Sequence, residues 1–141
     1  MTRDLSRTLH ALTSRLDRAA DAILRTEDGL SYARFLALYM IGREGANTQR
    51  ALAARLGVSE PSVSRMARVL AQAGWLETIA LPGDGNRHKL RLTPGGTEVV
   101  ERWGGDLEQR LAALVESAGI PYQTYLEHTK RLLTALEEGR R

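Results

Sequence analysis

The stretch VSEPSVSRMARVLAQAGWLE, residues 58 to 77, has the spacing of an amphipathic helix followed by a turn. Ser59 is a candidate N-cap, and Pro61 falls in the first turn, where a missing N–H costs nothing. The opposite side of this helix carries Arg65 and Arg68, with no acid three or four residues from either. Its apolar residues recur at three- and four-residue steps: Val63, Met66, Ala67 and Leu70.

The length and composition are those of one globular domain. With 141 residues, of which 43% are hydrophobic and 26% charged, the chain can bury a core. It has no cysteine, which excludes disulfides, thiolate metal sites and thiol redox sensing. The N-terminus has no signal-peptide pattern, and no apolar run is long enough to cross a bilayer. We therefore expect a soluble cytoplasmic protein with no membrane partner.

The net charge of +3 is distributed unevenly along the chain. Residues 47 to 91 hold seven basic and three acidic side chains, whereas the rest of the chain has a slight acidic excess. A basic middle between near-neutral ends is typical of a surface that binds a polyanion.

Helical patterns also precede the quoted stretch. Residues 31 to 45 read as a helix that begins at Ser31, a candidate N-cap, and ends at Gly45. A short helix from 49 to 56, capped by Thr48 and closed at Gly57, leads into the quoted stretch through only GVS. Two helices joined by a tight glycine turn form a helix-turn-helix, whose second member is the recognition helix.

The residues after the quoted helix change character. WLETIAL (75–81) and RHKLRLT (87–93) have short strand-like patterns, and the turn-rich PGDGN (82–86) separates them. Two strands and a glycine-rich tip make a small hairpin, or wing. The predicted fold is thus mainly α with a two-stranded β-wing.

Apolar stripes at coiled-coil spacing mark the terminal helices. One stripe covers residues 5 to 24, and another begins at Pro94. Gly104 and Gly105 interrupt this second stripe and are predicted to kink its helix. The segment 117–121 breaks this helix, and a final helix follows. These stripes either pack within one subunit or meet a second copy, and two-fold symmetry is the commonest arrangement. The residues predicted to form a homodimer contact are Leu5, Leu9, Leu12, Leu16, Leu126, Leu133 and Leu136.

The cationic face of the quoted helix has a functional interpretation. On a helical wheel Pro61, Arg65, Arg68 and Gln72 line up, with Ser64 at the edge. Small hydroxyls let a helix N-terminus approach phosphates, and Arg can donate twice to guanine. A plain helical hairpin is the alternative, but the unpaired arginines, the hydroxyls and the basic hairpin that follows together favour DNA binding.

Residues 48 to 96 resemble the winged helix-turn-helix of the MarR family of bacterial transcription regulators. The resemblance is carried by LAARLGVSEPSVSRMARVLAQAGWLE and by LRLTPGG after an Asp-bearing wing. It implies a dimerisation region built from the first and last helices. The implied organisation is a dimerisation helix at 1–30, the DNA-binding lobe at 31–96 and dimerisation helices at 97–141, within a single structural domain.

Two positions depart from the family pattern. The family often has an acid three residues after the position of Thr48, completing a capping box, but Ala51 stands there. The family's wing usually reads Asp-x-Arg, with the arginine entering the minor groove. Here Asp84 is followed by Gly85 and Asn86, so that Arg87 comes one position late. Either Arg87 still reaches the groove, or Asn86 weakens the contact.

The resulting hypothesis is a sequence-specific regulator that binds a pseudo-palindromic operator in double-stranded DNA and acts as a repressor released by a small molecule. One alternative is a helical ligand-binding or structural dimer without specific DNA binding, and another is a nonspecific nucleoid-type protein. The predicted DNA-binding residues are Thr48, Gln49, Ser59, Pro61, Ser62, Ser64, Arg65, Arg68, Asn86, Arg87 and Lys89.

Other kinds of site have little support in the sequence. The resemblance implies a crevice for a small aromatic effector, which Tyr39 and Trp103 are predicted to line. The three histidines are scattered, so we predict neither a metal site nor a cofactor. No nucleophile elbow and no phosphate-binding glycine loop occurs, so we do not expect an enzyme.

Overall fold

A computed structural model describes residues 3–83 and 88–140 of the chain. Over these residues the protein is mainly helical with one two-stranded antiparallel sheet, which confirms the predicted fold class. The chain divides into two compact units, Met1–Arg102 and Trp103–Arg141, and the boundary falls within the fifth helix. The elements are α1 (Leu5–Asp28), α2 (Tyr32–Glu44), α3 (Gln49–Leu56), α4 (Glu60–Gln72), β1 (Leu76–Ala80), β2 (His88–Leu92), α5 (Pro94–Ser117) and α6 (Tyr122–Glu138).

Side-chain hydroxyls begin three of the helices at the predicted residues. Ser31 accepts a hydrogen bond from the backbone N–H of Arg34, and Thr48 accepts one from that of Ala51 at 3.1 Å. Ser59 caps α4 in the same way. Since the Thr48 cap uses only the Ala51 backbone, α3 begins at its predicted residue without the reciprocal half of a capping box.

The α3–α4 turn depends on Gly57. Its φ of 69° is left-handed, a conformation that glycine adopts without steric cost, and its N–H bonds to the Ala53 carbonyl. Only Val58 and Ser59 then separate it from α4. The predicted helix-turn-helix is therefore present with the predicted boundaries.

The core of the first unit is formed by side chains from helices α1 to α4 and from both strands. Val63 and Leu70 of α4 are fully buried, as are residues of α1, α2, α3 and β2. Burying one face of α4 fixes its rotation about its own axis and turns the opposite face to solvent. The largest fully buried side chains are Leu24, Leu30, Leu38, Leu52, Leu70, Leu90 and Val63.

The wing is attached to the helix-turn-helix at both ends. β1 and β2 pair in register, with Leu76 opposite Leu92. Lys89 forms an isolated antiparallel bridge with Thr48, and the backbone N–H of Leu90 donates to the Asn47 carbonyl at 2.8 Å. The sequence does not predict this backbone pairing, which joins β2 to the residue that caps α3.

The first turn of α5 packs on the turn that joins α4 to β1. The Thr93 hydroxyl donates to the Gly74 carbonyl at 2.6 Å and accepts from the Gly96 N–H at 3.1 Å, and the Thr93 N–H donates to the Trp75 carbonyl. Gly96 lies so close to Trp75 that a Cβ there would be 3.0 Å from the Trp75 carbonyl carbon. We call these four residues, with Thr93 at the centre, the Thr93 junction.

Gly104 and Gly105 do not end α5, and the kink predicted at these glycines stays a prediction. The helix runs continuously for 24 residues. A glycine costs a helix interior only about 1 kcal/mol relative to alanine, which is small against the backbone hydrogen bonds on either side. α5 instead ends at Ser117, followed by Gly119 with a φ of 77°.

The second unit contains the rest of α5 and all of α6. No residue of α6 is buried. The Tyr122 hydroxyl donates to a Glu108 carboxylate oxygen at 3.3 Å. Repulsion from that carboxylate is the main cause of a raised Tyr122 pKa, with contributions from desolvation and the hydrogen bond itself.

Candidate nucleic-acid interface

Helix α4 has the two faces predicted from its sequence. Val63, Ala67 and Leu70 are buried, and Met66 is half-buried beside them. The opposite face is exposed at Pro61, Arg65, Arg68 and Gln72, with half-buried Ser62 and Ser64 beside it. The buried side chains hold α4 firmly in the core, so its exposed face is presented rigidly. A helix that contacts DNA bases requires this arrangement.

A chain of hydrogen bonds runs along the first turn of α4. Ser59 Oγ accepts from the Ser62 backbone N–H at 3.2 Å, and the Ser59 hydroxyl donates to Ser62 Oγ at 3.0 Å. Arg65 Nη2 in turn donates to Ser62 Oγ at 3.2 Å. The Arg65 guanidinium is thus drawn toward the N-terminus of α4, where the positive end of the helix dipole favours anions.

Ion pairs divide the basic residues of the middle segment into two groups. Arg55 bonds to Glu44 at 2.5 Å, and Arg91 bonds to Glu77 at 2.6 Å, so both are compensated within the protein. The other cations of this segment make no ion pair within the described part of the chain and remain available to an external anion: Arg50, Arg65, Arg68 and Lys89.

The structure brings the start of α3 and the wing together. Thr48 and Gln49 are half-buried at the N-terminus of α3, and the Thr48–Lys89 bridge places exposed Lys89 of β2 beside them. Arg50, exposed in the same first turn, was absent from the predicted set, although its position next to Gln49 in the sequence was a usable signal. The predicted residues Asn86 and Arg87 lie outside the described residues.

A cavity of about 540 Å³ lies at the root of the wing, between the end of α2, β2 and the start of α5. We call it the wing-base cavity. Its apolar lining includes Ile41, Leu90 and Val100. Sequence periodicity gave no signal for it because four separate segments build it. Its charged lining residues are Arg43, Lys89, Arg91 and Glu101.

The two residues predicted to line an effector crevice do not line this cavity. Tyr39 is half-buried in the first unit, with its ring centroid 6.1 Å from that of Phe35. Trp103 is buried and belongs to the second unit. Their role in binding a ligand stays a prediction.

The leucines predicted to form a dimer contact are largely exposed. In the first unit Leu5 is 64% exposed, and Leu9 and Leu12 are also exposed, while Leu16 is half-buried. In the second unit the same holds for α6, where Leu126 is half-buried and the remaining large apolar residues are open to solvent. These are Leu132, Leu133 and Leu136, of which Leu132 was not among the predicted residues.

Residues 3–83 and 88–140 contain neither a metal-binding cluster nor a membrane-spanning helix. No group of three or more acidic or histidine side chains in these ranges is placed to hold a metal ion. None of the helices in this part of the chain is long and apolar enough to cross a membrane.

A helix-turn-helix with a wing and an uncompensated cationic face on its second helix defines the winged-helix class of DNA-binding folds. Comparison with known proteins narrows this class. The sequence profile of the MarR family matches residues 28–85. An HTH-type transcriptional regulator of Mycobacterium tuberculosis is 33% identical over 95 residues, which are 62% of this chain and 64% of that protein.

Solved structures extend the similarity over nearly the whole chain. A MarR mutant from E. coli in complex with operator DNA is 27% identical, with a TM-score of 0.74 over 94% of this chain and 92% of that one. MepR from S. aureus in complex with DNA has a TM-score of 0.80 at 20% identity, over 99% of this chain and all of that one, which supports the fold. The resemblance to the MarR family predicted from the sequence is thereby confirmed, and the proteins of that family are transcription regulators rather than enzymes.

Proposed function

We propose that the protein is a homodimeric, sequence-specific regulator that binds double-stranded DNA through α4 and the wing. The observation that carries the proposal is the exposed face of α4. Arg65 and Arg68 have no carboxylate partner among the described residues, whereas nearby Arg55 and Arg91 do. Such a face can bind DNA phosphates as anions and the edge of guanine as a hydrogen-bond acceptor.

The dimer is supported by the exposed leucines at the two ends of the chain. The apolar stripes on α1 and on α6 are exposed, and a second copy of the chain would cover them in the proposed dimer. Two-fold symmetry would present two copies of α4 to one face of the DNA. Half-sites of the operator would then lie about one helical turn apart, roughly 34–36 Å.

Repression relieved by a small molecule is the finer part of the proposal, and we propose the wing-base cavity as the binding site of that molecule. Its volume lies in the range of sites for drug-sized ligands, about 300–1,000 Å³. Lys89 lines the cavity and belongs to the predicted DNA-binding set. An anionic ligand held by Lys89 and Arg43 would therefore compete with DNA phosphate for the Lys89 ammonium. Linkage requires that DNA weaken the ligand by the same factor.

The test is a comparison of two charge-matched variants. Duplexes selected from a random pool by the purified protein provide an operator, and a scrambled sequence provides the reference. Arg65→Ala is expected to lower the ratio of operator to scrambled affinity by about 10-fold, as for loss of one base-reading arginine. Arg110→Ala removes the same charge from α5, where Arg110 is paired with Asp106, and should leave the ratio unchanged.

Measuring these affinities over a series of salt concentrations separates a specific regulator from a nucleoid-type protein and from a structural dimer. A true DNA-binding protein loses affinity log-linearly with salt, with a slope of about 0.9 per phosphate neutralised. A nucleoid-type protein would show the slope but enrich no sequence, and a structural dimer would show neither. If Arg65→Ala leaves the operator affinity untouched, α4 is not the reading helix.

A further inference from the structure

We propose that Ser62 determines specificity in α4: its hydroxyl oxygen orients Arg65 through a hydrogen bond, so that Arg65 reads guanine. The inference rests on the proposed DNA-binding function and adds the base that is read. The observation that carries it is the hydrogen-bonded chain from Ser59 through Ser62 to Arg65.

The half-buried Ser62 hydroxyl lies between two partners near the start of α4. A serine oxygen has two lone pairs that accept hydrogen bonds. One of them accepts from Arg65 Nη2 at 3.2 Å, and Ser62 Oγ lies 3.0 Å from the hydroxyl oxygen of Ser59. The contact with Ser59 thereby positions the oxygen that binds Arg65.

Arg65 contributes donors beside this hydroxyl. A guanidinium has five N–H groups and no acceptor, and the bond to Ser62 uses one of them. Because the two side chains are joined at 3.2 Å, the remaining donors of Arg65 and the Ser62 hydroxyl form one cluster on the exposed side of α4. An exposed arginine normally samples many rotamers, and the tether removes part of that freedom before DNA is met.

The guanidinium of Arg65 only donates, so it discriminates among bases by complementarity. In the major groove guanine presents two adjacent acceptors, N7 and O6, and no donor. Adenine replaces one of these acceptors with an amino donor, and cytosine presents an amino donor. Donor facing donor leaves both groups unpaired, which costs more than the absent bond alone. Guanine is therefore the base that satisfies the Arg65 guanidinium that Ser62 orients.

Arg68 supplies a contrast on the same face. It lies one turn further along α4 and makes no hydrogen bond with the described residues. Without a tether its guanidinium stays free to follow whichever phosphate lies nearest. We therefore assign base reading to the tethered Arg65 and backbone contact to Arg68.

The experiment compares sequence profiles selected from a random duplex pool by the wild type, Ser62→Ala, Ser62→Thr and Arg65→Ala. The wild type should prefer guanine at one position in each half-site. Ser62→Ala and Arg65→Ala should both flatten that position, with the guanine preference falling about 10-fold. Ser62→Thr keeps a hydroxyl and should retain the preference.

Two further readouts exclude a merely structural role for Ser62. Alanine is the better helix former, so Ser62→Ala should be at least as stable as the wild type to urea. Replacing the guanine by 7-deazaguanine removes the N7 acceptor, which should weaken the wild type but have little further effect on Ser62→Ala, a coupling read as a double-mutant cycle.

The outcomes separate this inference from the function on which it rests. If the wild type enriches no sequence, the proposed function fails and this inference with it. If the wild type has a clear operator but Ser62→Ala keeps the guanine preference at every position, only the inference is overturned. A profile in which Ser62→Ala and Arg65→Ala flatten different positions overturns it as well.

Discussion

Replacing Gly96 with alanine tests the packing of the Thr93 junction. Gly96 is buried in the first turn of α5, and a Cβ there would lie 3.0 Å from the Trp75 carbonyl carbon and closer still to its oxygen. Real Cβ atoms do not approach backbone atoms so closely. Since the obstacle is backbone, no rotation of a side chain relieves it, and α5 or the β1 end of the wing has to move.

The size of the effect follows from two opposing contributions. Forcing an extra methyl group into a packed site typically costs about 1–3 kcal/mol. Alanine gains up to about 1 kcal/mol over glycine in a helix, and the first turn realises only part of that gain. We therefore expect Gly96→Ala to lower the free energy of unfolding by about 1–2 kcal/mol. A domain stable by about 5–15 kcal/mol remains folded after this loss.

Two other glycines of α5 serve as matched controls. Gly95→Ala makes the same change one residue earlier, where the nearest atom to the new Cβ is at 3.5 Å, an ordinary contact. Gly105→Ala meets nothing within 4 Å in the middle of the helix and should stabilise by about 0.5–1 kcal/mol.

The assay is urea denaturation of all three variants at one protein concentration, because association would make stability concentration-dependent. The expected order of midpoints is Gly105→Ala above the wild type and Gly96→Ala well below it, with equal slopes. A Gly96→Ala midpoint at or above that of the wild type would refute the close approach of α5 to Trp75.

Three further predictions concern other parts of the chain. Leu133→Glu should give monomers in sedimentation and lose operator binding, whereas Gln123→Glu, which adds the same charge to α6, should not; a monomeric wild type at micromolar concentration contradicts the dimer. Leu70→Ala opens a cavity behind the recognition helix and should cost about 2–5 kcal/mol in urea; a loss below 1 kcal/mol contradicts its complete burial. Folding raises the Tyr122 pKa through Glu108, so this group stabilises below its unfolded pKa and loses that contribution as the pH rises through the folded one. Tyr122→Phe should therefore reduce the alkaline loss of stability, and an unchanged pH profile would show that the Glu108 contact does not persist in solution.

Local chemistry explains which parts of the fold the sequence predicts well. The caps at Ser31, Thr48 and Ser59 and the turn at Gly57 each depend on residues within four positions of one another. A hydroxyl that accepts from an N–H three residues on, or a glycine with positive φ, is visible in the sequence itself. The boundaries of the helix-turn-helix were predictable for this reason.

Contacts between distant segments explain what the sequence does not predict. The pairs Arg55–Glu44 and Arg91–Glu77 join residues 11 and 14 apart, so counting charges overestimates the cations that are available to DNA. The bridge from Thr48 to Lys89 and the wing-base cavity likewise depend on how α2, β2 and α5 converge. Helix α5 continues through Gly104 and Gly105 for a different reason. The weak preference of glycine against the helical conformation is outweighed by the length of the helix on either side.

The connection of β2 to the α2–α3 loop bears on how a ligand would act. Asn47 contributes a carbonyl to the Leu90 N–H and also lines the wing-base cavity, and Lys89 lines the same cavity while it pairs with Thr48. A molecule filling the cavity thus touches the strand that carries a predicted DNA contact and the loop that begins α3. If such a molecule shifts β2 by a fraction of an ångström, the Thr48 cap shifts with it, because backbone pairing joins the two. Loss of DNA affinity would then require no movement of α4, and the guanine preference assigned to Ser62 and Arg65 would persist at the lower affinity. A ligand that instead erased this preference would have to act on α4 itself.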